Sequence, residues 1–195
     1  MIDESLFDRS QKLAFQLAEQ LEQSERQMVF AESCTAGLAA GILAQVPGIS
    51  KWLAGSSVTY MEEVKADWLG IDPELIARHT AVSSEVTEAM ASSVLQRTGT
   101  ADLAVAITGH LEPGASEQGC LVYVAVAYRQ GEQVNVRPLV LAPLEGERRL
   151  DRQWEAATIA LNLAVDHLRF PPGQESDSVD WPEVCRAANR APGTE

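Results

Sequence analysis

The 195-residue sequence is poor in basic residues, because 15 Lys and Arg stand against 28 Asp and Glu and give a formal net charge of −13. An acidic surface repels phosphate backbones, so we expect no nucleic-acid partner. Long apolar runs are also lacking. None approaches the roughly 20 residues that a membrane helix needs, and no membrane partner is expected.

Cysteine is scarce: Cys34, Cys120 and Cys185 are widely spaced and odd in number, which excludes a disulfide framework and a zinc-binding pattern. The three histidines are isolated and lack metal-ligand spacing. We therefore expect neither a metal nor a cofactor. The first residues are acidic and show no apolar signal-peptide core, so we expect a location in the reducing cytoplasm.

Apolar residues make up 46% of the sequence, enough for a buried core. Residues 1–170 are predicted to form one domain. Residues 171–195 begin with PPG and are rich in Gly, Ser, Asp and Glu, which predicts a weakly structured tail. The alternative is that Trp181 docks the tail onto the domain or onto a partner.

Strand and helix patterns alternate through the first half of the chain and indicate an α/β layered fold. A later hairpin indicates that the sheet is mixed. Helices are predicted over residues 4–23, 35–45, 62–69, a short piece from 73, 83–99 and 147–168. Strands are predicted over residues 28–31, 57–60, 103–107, 121–128 and 134–141.

The first strand-to-helix junction, residues 31–37 (AESCTAG), combines hydroxyl groups with small residues. Free N–H groups at a helix N-terminus attract anions and stabilise an oxyanion, and a hydroxyl held there attacks a carbonyl once a base activates it. The alternative is an ordinary helix start with Ser33 or Thr35 as N-cap. Cys34 is a rival nucleophile, although no Cys–His spacing supplies an activating partner and a buried structural thiol is favoured.

The second junction, residues 58–65 (VTYMEEVK), places Tyr60 at a strand end and Lys65 about one turn into the following helix. A lysine whose pKa is lowered by desolvation can act as general base for a hydroxyl nucleophile. A tyrosine hydroxyl can relay a proton or orient that lysine. The alternative is a solvated lysine on an exposed helix face.

Two further stretches place polar residues where they are expected to contribute to the same site. Residues 107–114 (ITGHLEPG) follow the most apolar strand, and ligands of open α/β sheets bind at the carboxyl ends of strands. Residues 146–152 (GERRLDR) open the last helix with three arginines. In an acidic chain they indicate an anion site, because guanidinium groups bind phosphate and carboxylate bidentately. The alternative is ion pairing with neighbouring acidic residues.

These stretches, in this order, resemble the CinA C-terminal-domain family, the nicotinamide-nucleotide amidases. The resemblance covers about residues 13–168. It rests on AESCTxG at 31–37, VPGxS at 46–50, VTY at 58–60 with Lys65 and LG at 69–70, AVS at 81–83, ITG at 107–109, and GxR at 146–148 with Arg152.

The resemblance implies a three-layer α/β/α fold with a mixed, roughly five-stranded sheet, and a homodimer. It implies a small-molecule nucleotide substrate: the carboxamide of nicotinamide mononucleotide is hydrolysed to nicotinic acid mononucleotide and ammonia. By matching positions, Ser33 is the nucleophile and Lys65 its base, assisted by Tyr60. The implied substrate-binding residues are Thr35, Gly37, Thr108, Gly109 and Arg148.

The sequence also departs from the family pattern. Ala36 stands where the family usually has glycine, and the loop at 110–118 is shorter and less glycine-rich, without the family's Lys-Pro-Val-Gly element. Leu111 and Glu112 are expected to obstruct phosphate from backbone N–H groups, and Glu62 and Glu112 add like charge. The alternative to an amidase is therefore a catalytically lapsed CinA-like module for nucleotide binding or assembly.

Overall fold

The computed structural model describes residues 4–115, 119–137, 140–170 and 172. The six helices within these residues are α1 Glu4–Ser24, α2 Leu38–Leu43, α3 Glu62–Leu69, α4 Pro73–His79, α5 Ser84–Arg97 and α6 Arg149–Arg169. The six strands are β1 Met28–Glu32, β2 Leu53–Val58, β3 Leu103–His110, β4 Leu121–Gln130, β5 Gln133–Val136 and β6 Val140–Pro143. A short 3-10 helix covers Ile49–Lys51.

The strands form one mixed sheet in the order β2-β1-β3-β4-β5, and β6 also pairs with β4. β1 is parallel to β2 and β3, whereas β4 is antiparallel to β3, β5 and β6. The predicted second hairpin strand over 134–141 is in fact two strands, which pair with opposite ends of β4 on its outer side. The sheet is therefore five positions wide, although it contains six strands.

The side chains on the two faces of the sheet differ in size. In β3, Leu103, Val105 and Ile107 point to one face and pack with α1, α2 and α6, while Ala104 and Ala106 point to the other and pack with α5. Alternation along a strand produces this separation, because successive side chains leave opposite faces. Helices cover both faces, so the predicted three-layer α/β/α fold is confirmed.

Helix boundaries follow local capping. Ser83 Oγ accepts a hydrogen bond from the Val86 N–H at 3.3 Å and begins α5 as predicted. The predicted start of α2 at residue 35 is wrong by three residues, because Ala36 and Gly37 have φ of 53° and 94° and form a left-handed turn first. Ala36 thus holds a backbone conformation that favours glycine, at a position where the resembled family has glycine.

The parallel strands bring the predicted junctions to one edge of the sheet. Glu32 at the end of β1 pairs with Val58 of β2 and with Ile107 of β3. The residues that follow these strands therefore meet at the carboxyl edge, where open α/β sheets bind ligands.

Within the described residues, none of the helices combines the length and apolar character that spanning a bilayer requires. Among the same described residues, no group of three or more His, Cys, Asp or Glu side chains is arranged to hold a metal ion. The predicted tail at 171–195, including Trp181 and Cys185, lies outside the described residues apart from Pro172.

Candidate active site

Ser33 begins the turn that follows β1. Its N–H donates to the Ile107 carbonyl at 3.0 Å, so the backbone pairing of β1 with β3 extends to the serine itself. The residue is only 7% exposed. Its hydroxyl is therefore held by the sheet at the edge where the junctions meet.

Glu32 occupies the N-terminus of α2, which the sequence had suggested as a free anion site. Its carboxylate accepts from the N–H groups of Gly37, Ala39 and Ala40 at 2.9–3.1 Å and from the Ser56 hydroxyl at 3.0 Å. The expectation of free N–H groups at that helix end is therefore wrong, because a buried carboxylate of the chain already satisfies them. A charged residue at the end of an apolar strand (MVFAE) was the sequence signal for this arrangement.

Lys65 lies on α3, and its side chain reaches Ser33. Its Nζ is 3.0 Å from Ser33 Oγ, 2.6 Å from the Thr59 carbonyl oxygen and 3.5 Å from that of Tyr60. The residue is 1% exposed, which excludes the alternative of a solvated lysine. Burial lowers the pKa of Lys65 from its ordinary 10.5, and the nearby Glu62 carboxylate opposes the change.

Cys34 adjoins Ser33 but is chemically different from it. Burial raises the pKa of its thiol to about 12, so the group is protonated at neutral pH. Because the thiolate is the reactive form, this geometry favours the buried structural thiol over a second nucleophile.

A pocket of about 230 Å³ opens above Ser33 and Lys65. Three of its lining residues, Ser33, Cys34 and Lys65, are buried, and we call this set the floor. Three exposed lining residues, Tyr60, Glu112 and Arg149, are joined to one another by hydrogen bonds, and we call this set the rim. The remaining lining residues are Ala81, Val82, Gly109, His110, Leu111 and Ala115.

Tyr60 is 53% exposed, and its hydroxyl accepts a hydrogen bond from Arg149 Nη2 at 2.8 Å. Lys65 meets Tyr60 only through the tyrosine main-chain carbonyl. The phenol thus lies on the rim, and the residue touches the floor with its backbone.

Arg148 and Arg149 have different surroundings although they are adjacent. Arg148 is the N-cap residue of α6 and pairs with Asp151 at 2.5 Å. Arg149 lines the pocket, and its Nη1 lies 2.8 Å from Glu112 Oε1. The structure therefore places Arg149 in the pocket rather than Arg148, which the resemblance had indicated.

The other residues implied by the resemblance divide between the pocket and its support. Gly109 lines the pocket, and a Cβ there would lie 2.4 Å from the Leu121 carbonyl oxygen, so β4 pairs closely only with glycine. Thr108 is fully buried and donates its hydroxyl to the Ala81 carbonyl at 3.3 Å. Thr35 is 1% exposed, and its hydroxyl has no hydrogen-bond partner among the described residues.

Two residues of α6 brace the site: Arg152, which belongs to the predicted three-arginine stretch, and Gln153, which had no role in the sequence prediction. Arg152 is 6% exposed and donates to the carbonyl oxygens of Leu111, Gly146 and Glu147 at 2.6–3.1 Å. Gln153 donates to the carbonyl oxygens of Cys34 and Thr35 at 3.3 and 3.2 Å.

Arg149, Arg152 and Gln153 share one helix face because residues three and four apart lie together. The sequence carried this signal in the spacing i, i+3, i+4. The helix predicted over 147–168 already contains all three residues, so this signal was available from the sequence.

A family model described as the CinA C-terminal domain matches residues 10–168. A CinA-like protein of Mycobacterium marinum is 43% identical over 141 residues, which cover 72% of this chain and 32% of that protein. A CinA-like protein of Myxococcus xanthus is 42% identical over 105 residues, covering 54% of this chain and 25% of that protein. The chain thus spans about a third or less of the length of these relatives.

Solved structures show the same similarity. The competence/damage inducible protein CihA from Agrobacterium tumefaciens superposes with a TM-score of 0.73 and 28% identity, covering 87% of this chain and 98% of that one. A competence-damaged protein (CinA) superfamily protein from Klebsiella pneumoniae gives a TM-score of 0.73 and 26% identity, covering 82% and 98%.

Proposed function

The chain belongs to the CinA C-terminal domain family, and from that premise we propose that it is an amidohydrolase acting on nicotinamide mononucleotide. The products are nicotinic acid mononucleotide and ammonia. The observation that carries the proposal is the buried contact of 3.0 Å between Lys65 Nζ and Ser33 Oγ. A hydroxyl nucleophile needs an adjacent base, and this pair supplies both groups.

The surroundings of Lys65 suit an uncharged amine. A neutral amine has two N–H donors and one lone pair. In the neutral form the carbonyl oxygens of Thr59 and Tyr60 would accept these two donors, and the contact with Ser33 Oγ would then run from the hydroxyl to the lone pair. Burial disfavours the charged form, and the lowered pKa of Lys65 has the direction that a general base requires.

In the proposed reaction, Lys65 Nζ takes the hydroxyl proton of Ser33 as Oγ attacks the carboxamide carbon. The C–N bond of the tetrahedral intermediate then breaks, and the proton on Nζ passes to the departing nitrogen, which leaves as ammonia. A water molecule, deprotonated by the same amine, then attacks the acyl-serine. The ester C–O bond breaks, the proton on Nζ returns to Ser33 Oγ, and the carboxylic acid is released.

The turn after Ser33 supports an oxyanion site. Among the described residues, the main-chain N–H groups of Cys34 and Thr35 donate to no carbonyl or carboxylate oxygen; both approach the Cys34 thiol, which the carboxamide oxygen would replace as acceptor. Gln153 holds the carbonyl groups of both residues and thereby fixes the orientation of the turn. Fixed donors beside the nucleophile stabilise the charge that develops on the carboxamide oxygen.

Ammonia release from nicotinamide mononucleotide tests the proposal, with Ser33→Ala as the matched control. We expect release by the parent protein and none above background by the variant. Equal release by both proteins, or none by the parent, contradicts the proposal for this substrate.

A catalytically lapsed module for nucleotide binding or assembly is the second candidate. The observation that favours it is the ion pair between Arg149 and Glu112, which places a carboxylate beside the arginine of the pocket. Calorimetry with the mononucleotide separates the two: binding without ammonia release favours the lapsed module. We also propose a homodimer and a cytoplasmic location, and light scattering of the purified protein tests the homodimer.

A further inference from the structure

The rim contains an internal ion pair that bears on which amides the pocket accepts. Glu112 Oε1 lies 2.8 Å from Arg149 Nη1, and the hydroxyl of Tyr60 lies 2.8 Å from Arg149 Nη2. Both terminal nitrogens of the guanidinium therefore already donate within the rim. All three residues line the pocket above Ser33.

The position of Glu112 opposite Arg149 is fixed from beneath. Buried Arg152 joins the Leu111 carbonyl, next to Glu112, to the Gly146 and Glu147 carbonyls, which precede α6. Because both loops are tied to one guanidinium, their neighbouring side chains meet across the opening. Two surface side chains that met only by chance would not be connected through a shared buried residue in this way.

The charges on the rim cancel. Arg149 contributes the positive charge and Glu112 the negative one, while Lys65 on the floor must be uncharged to serve as base. Glu112 accepts a single hydrogen bond from Arg149, so a phosphate group that binds the remaining N–H donors of this guanidinium lies beside a carboxylate of like charge.

We propose that Glu112 is a specificity-determining residue that competes with the phosphate of the substrate for Arg149, so that the pocket discriminates against phosphate-bearing amides relative to phosphate-free ones. The inference rests on the proposed function for its choice of amide. A phosphate that binds Arg149 must either lie beside the Glu112 carboxylate or displace it, whereas an uncharged substituent meets no such repulsion. Glu112 acts on binding, and the transfer of protons at Ser33 and Lys65 does not involve it.

The experiment compares two ligands that differ by the phosphate alone, nicotinamide mononucleotide and nicotinamide riboside. Calorimetry measures both on a Ser33→Ala background, which prevents turnover. The test variant is Glu112→Gln, which removes the charge and keeps the side-chain shape. Glu147→Gln is the matched control, because it removes an exposed carboxylate from the adjacent loop outside the pocket lining.

We expect Glu112→Gln to bind the mononucleotide about tenfold more tightly, the effect of removing one partly screened like charge. Riboside affinity should stay within about twofold, Glu147→Gln should change neither ligand, and adding Arg149→Gln should abolish the gain. An unchanged mononucleotide affinity overturns the inference. An equal gain for the riboside, a gain that survives loss of Arg149, or no mononucleotide binding by any variant overturns it too.

Failure of the inference is distinguishable from failure of the proposed function. Ammonia release with Ser33 intact tests the amidase, whereas the calorimetric comparison tests Glu112 independently of turnover. A mononucleotide-specific gain without ammonia release retains the inference and refutes the amidase. Ammonia release without that gain supports the amidase and refutes the inference. Because the Glu112 side chain is 55% exposed, its replacement is not expected to disturb folding.

Discussion

The floor and the rim of the pocket are built in opposite ways. On the floor, Ser33 and Lys65 are 7% and 1% exposed and are held by backbone carbonyl groups and by the sheet. On the rim, the side chains of Arg149 and Glu112 are 47% and 55% exposed and hold one another. The floor side chains are thus buried and held in place, as a nucleophile and its base require. The rim side chains can move when a substrate binds with little loss of folding stability.

This difference separates two kinds of kinetic effect. Changes on the floor should alter the chemical step and so kcat, and changes on the rim should alter binding and so KM. Of the positions that depart from the family pattern, Leu111 and Glu112 line the pocket at the rim, while Ser33 and Lys65 match the family motif. Catalysis and selectivity are therefore expected to respond independently.

The largest effect is expected from Lys65→Met, which keeps the volume of the side chain and removes the base. Loss of a general base costs about 10²–10⁴ in rate, so kcat should fall by about that factor while KM changes little. Steady-state ammonia release checks this. Thermal unfolding serves as the folding control, because the variant leaves the Thr59 carbonyl without its donor. A kcat within about threefold of the parent value would remove the distinction between floor and rim.

A smaller effect is expected from Arg149→Gln, with Arg148→Gln as its neighbouring control. Loss of a charge-assisted hydrogen bond to phosphate should raise KM for the mononucleotide about tenfold and leave kcat nearly unchanged. Arg148 pairs with Asp151 outside the pocket lining, so its replacement should change neither constant. If the Arg148 variant shows the larger rise in KM, the assignment of the rim is wrong.

The smallest effect is expected from Glu62→Gln. The Glu62 carboxylate raises the pKa of Lys65 against the larger lowering by burial, so its removal should lower that pKa further. Since the base works when unprotonated, the acid limb of the profile of kcat/KM against pH should move to lower pH. Glu63→Gln, an exposed neighbour, should leave the limb in place. Movement of the limb to higher pH would contradict the charge assignment on the floor.

The floor could be predicted from the sequence, and the rim only in part. The strand-to-helix junctions made Ser33 and Lys65 candidates beside ordinary structural alternatives, and the family resemblance assigned their roles. Parallel strands bring such junctions to one edge. The fold followed from the same alternation. The split of the last hairpin strand into β5 and β6 was missed, because an apolar pattern alone does not show where pairing with β4 is interrupted.

The rim depends on contacts between residues far apart in the chain, such as Glu112 with Arg149, which no local pattern reports. Arg148 was named only because it matches the family motif, and the pocket lining instead contains its neighbour Arg149. The helix start was predicted two residues too early, since such boundaries are set by capping in the folded chain. The capture of the α2 N-terminus by Glu32 was missed for a related reason. The hydrophobic periodicity of a sequence does not show that a side chain caps a helix whose N–H groups lie five to eight residues further along the chain.

The most direct test of the account is a measurement of the Lys65 pKa in the folded protein. The chain has three lysines, of which Lys12 and Lys51 are exposed, so a lysine labelled with ¹³C at the carbon next to Nζ gives only three NMR signals to titrate. The signal absent from Lys65→Met identifies the residue. The account predicts that this signal titrates below the ordinary lysine value of 10.5, and a midpoint at or above 10.5 would contradict it.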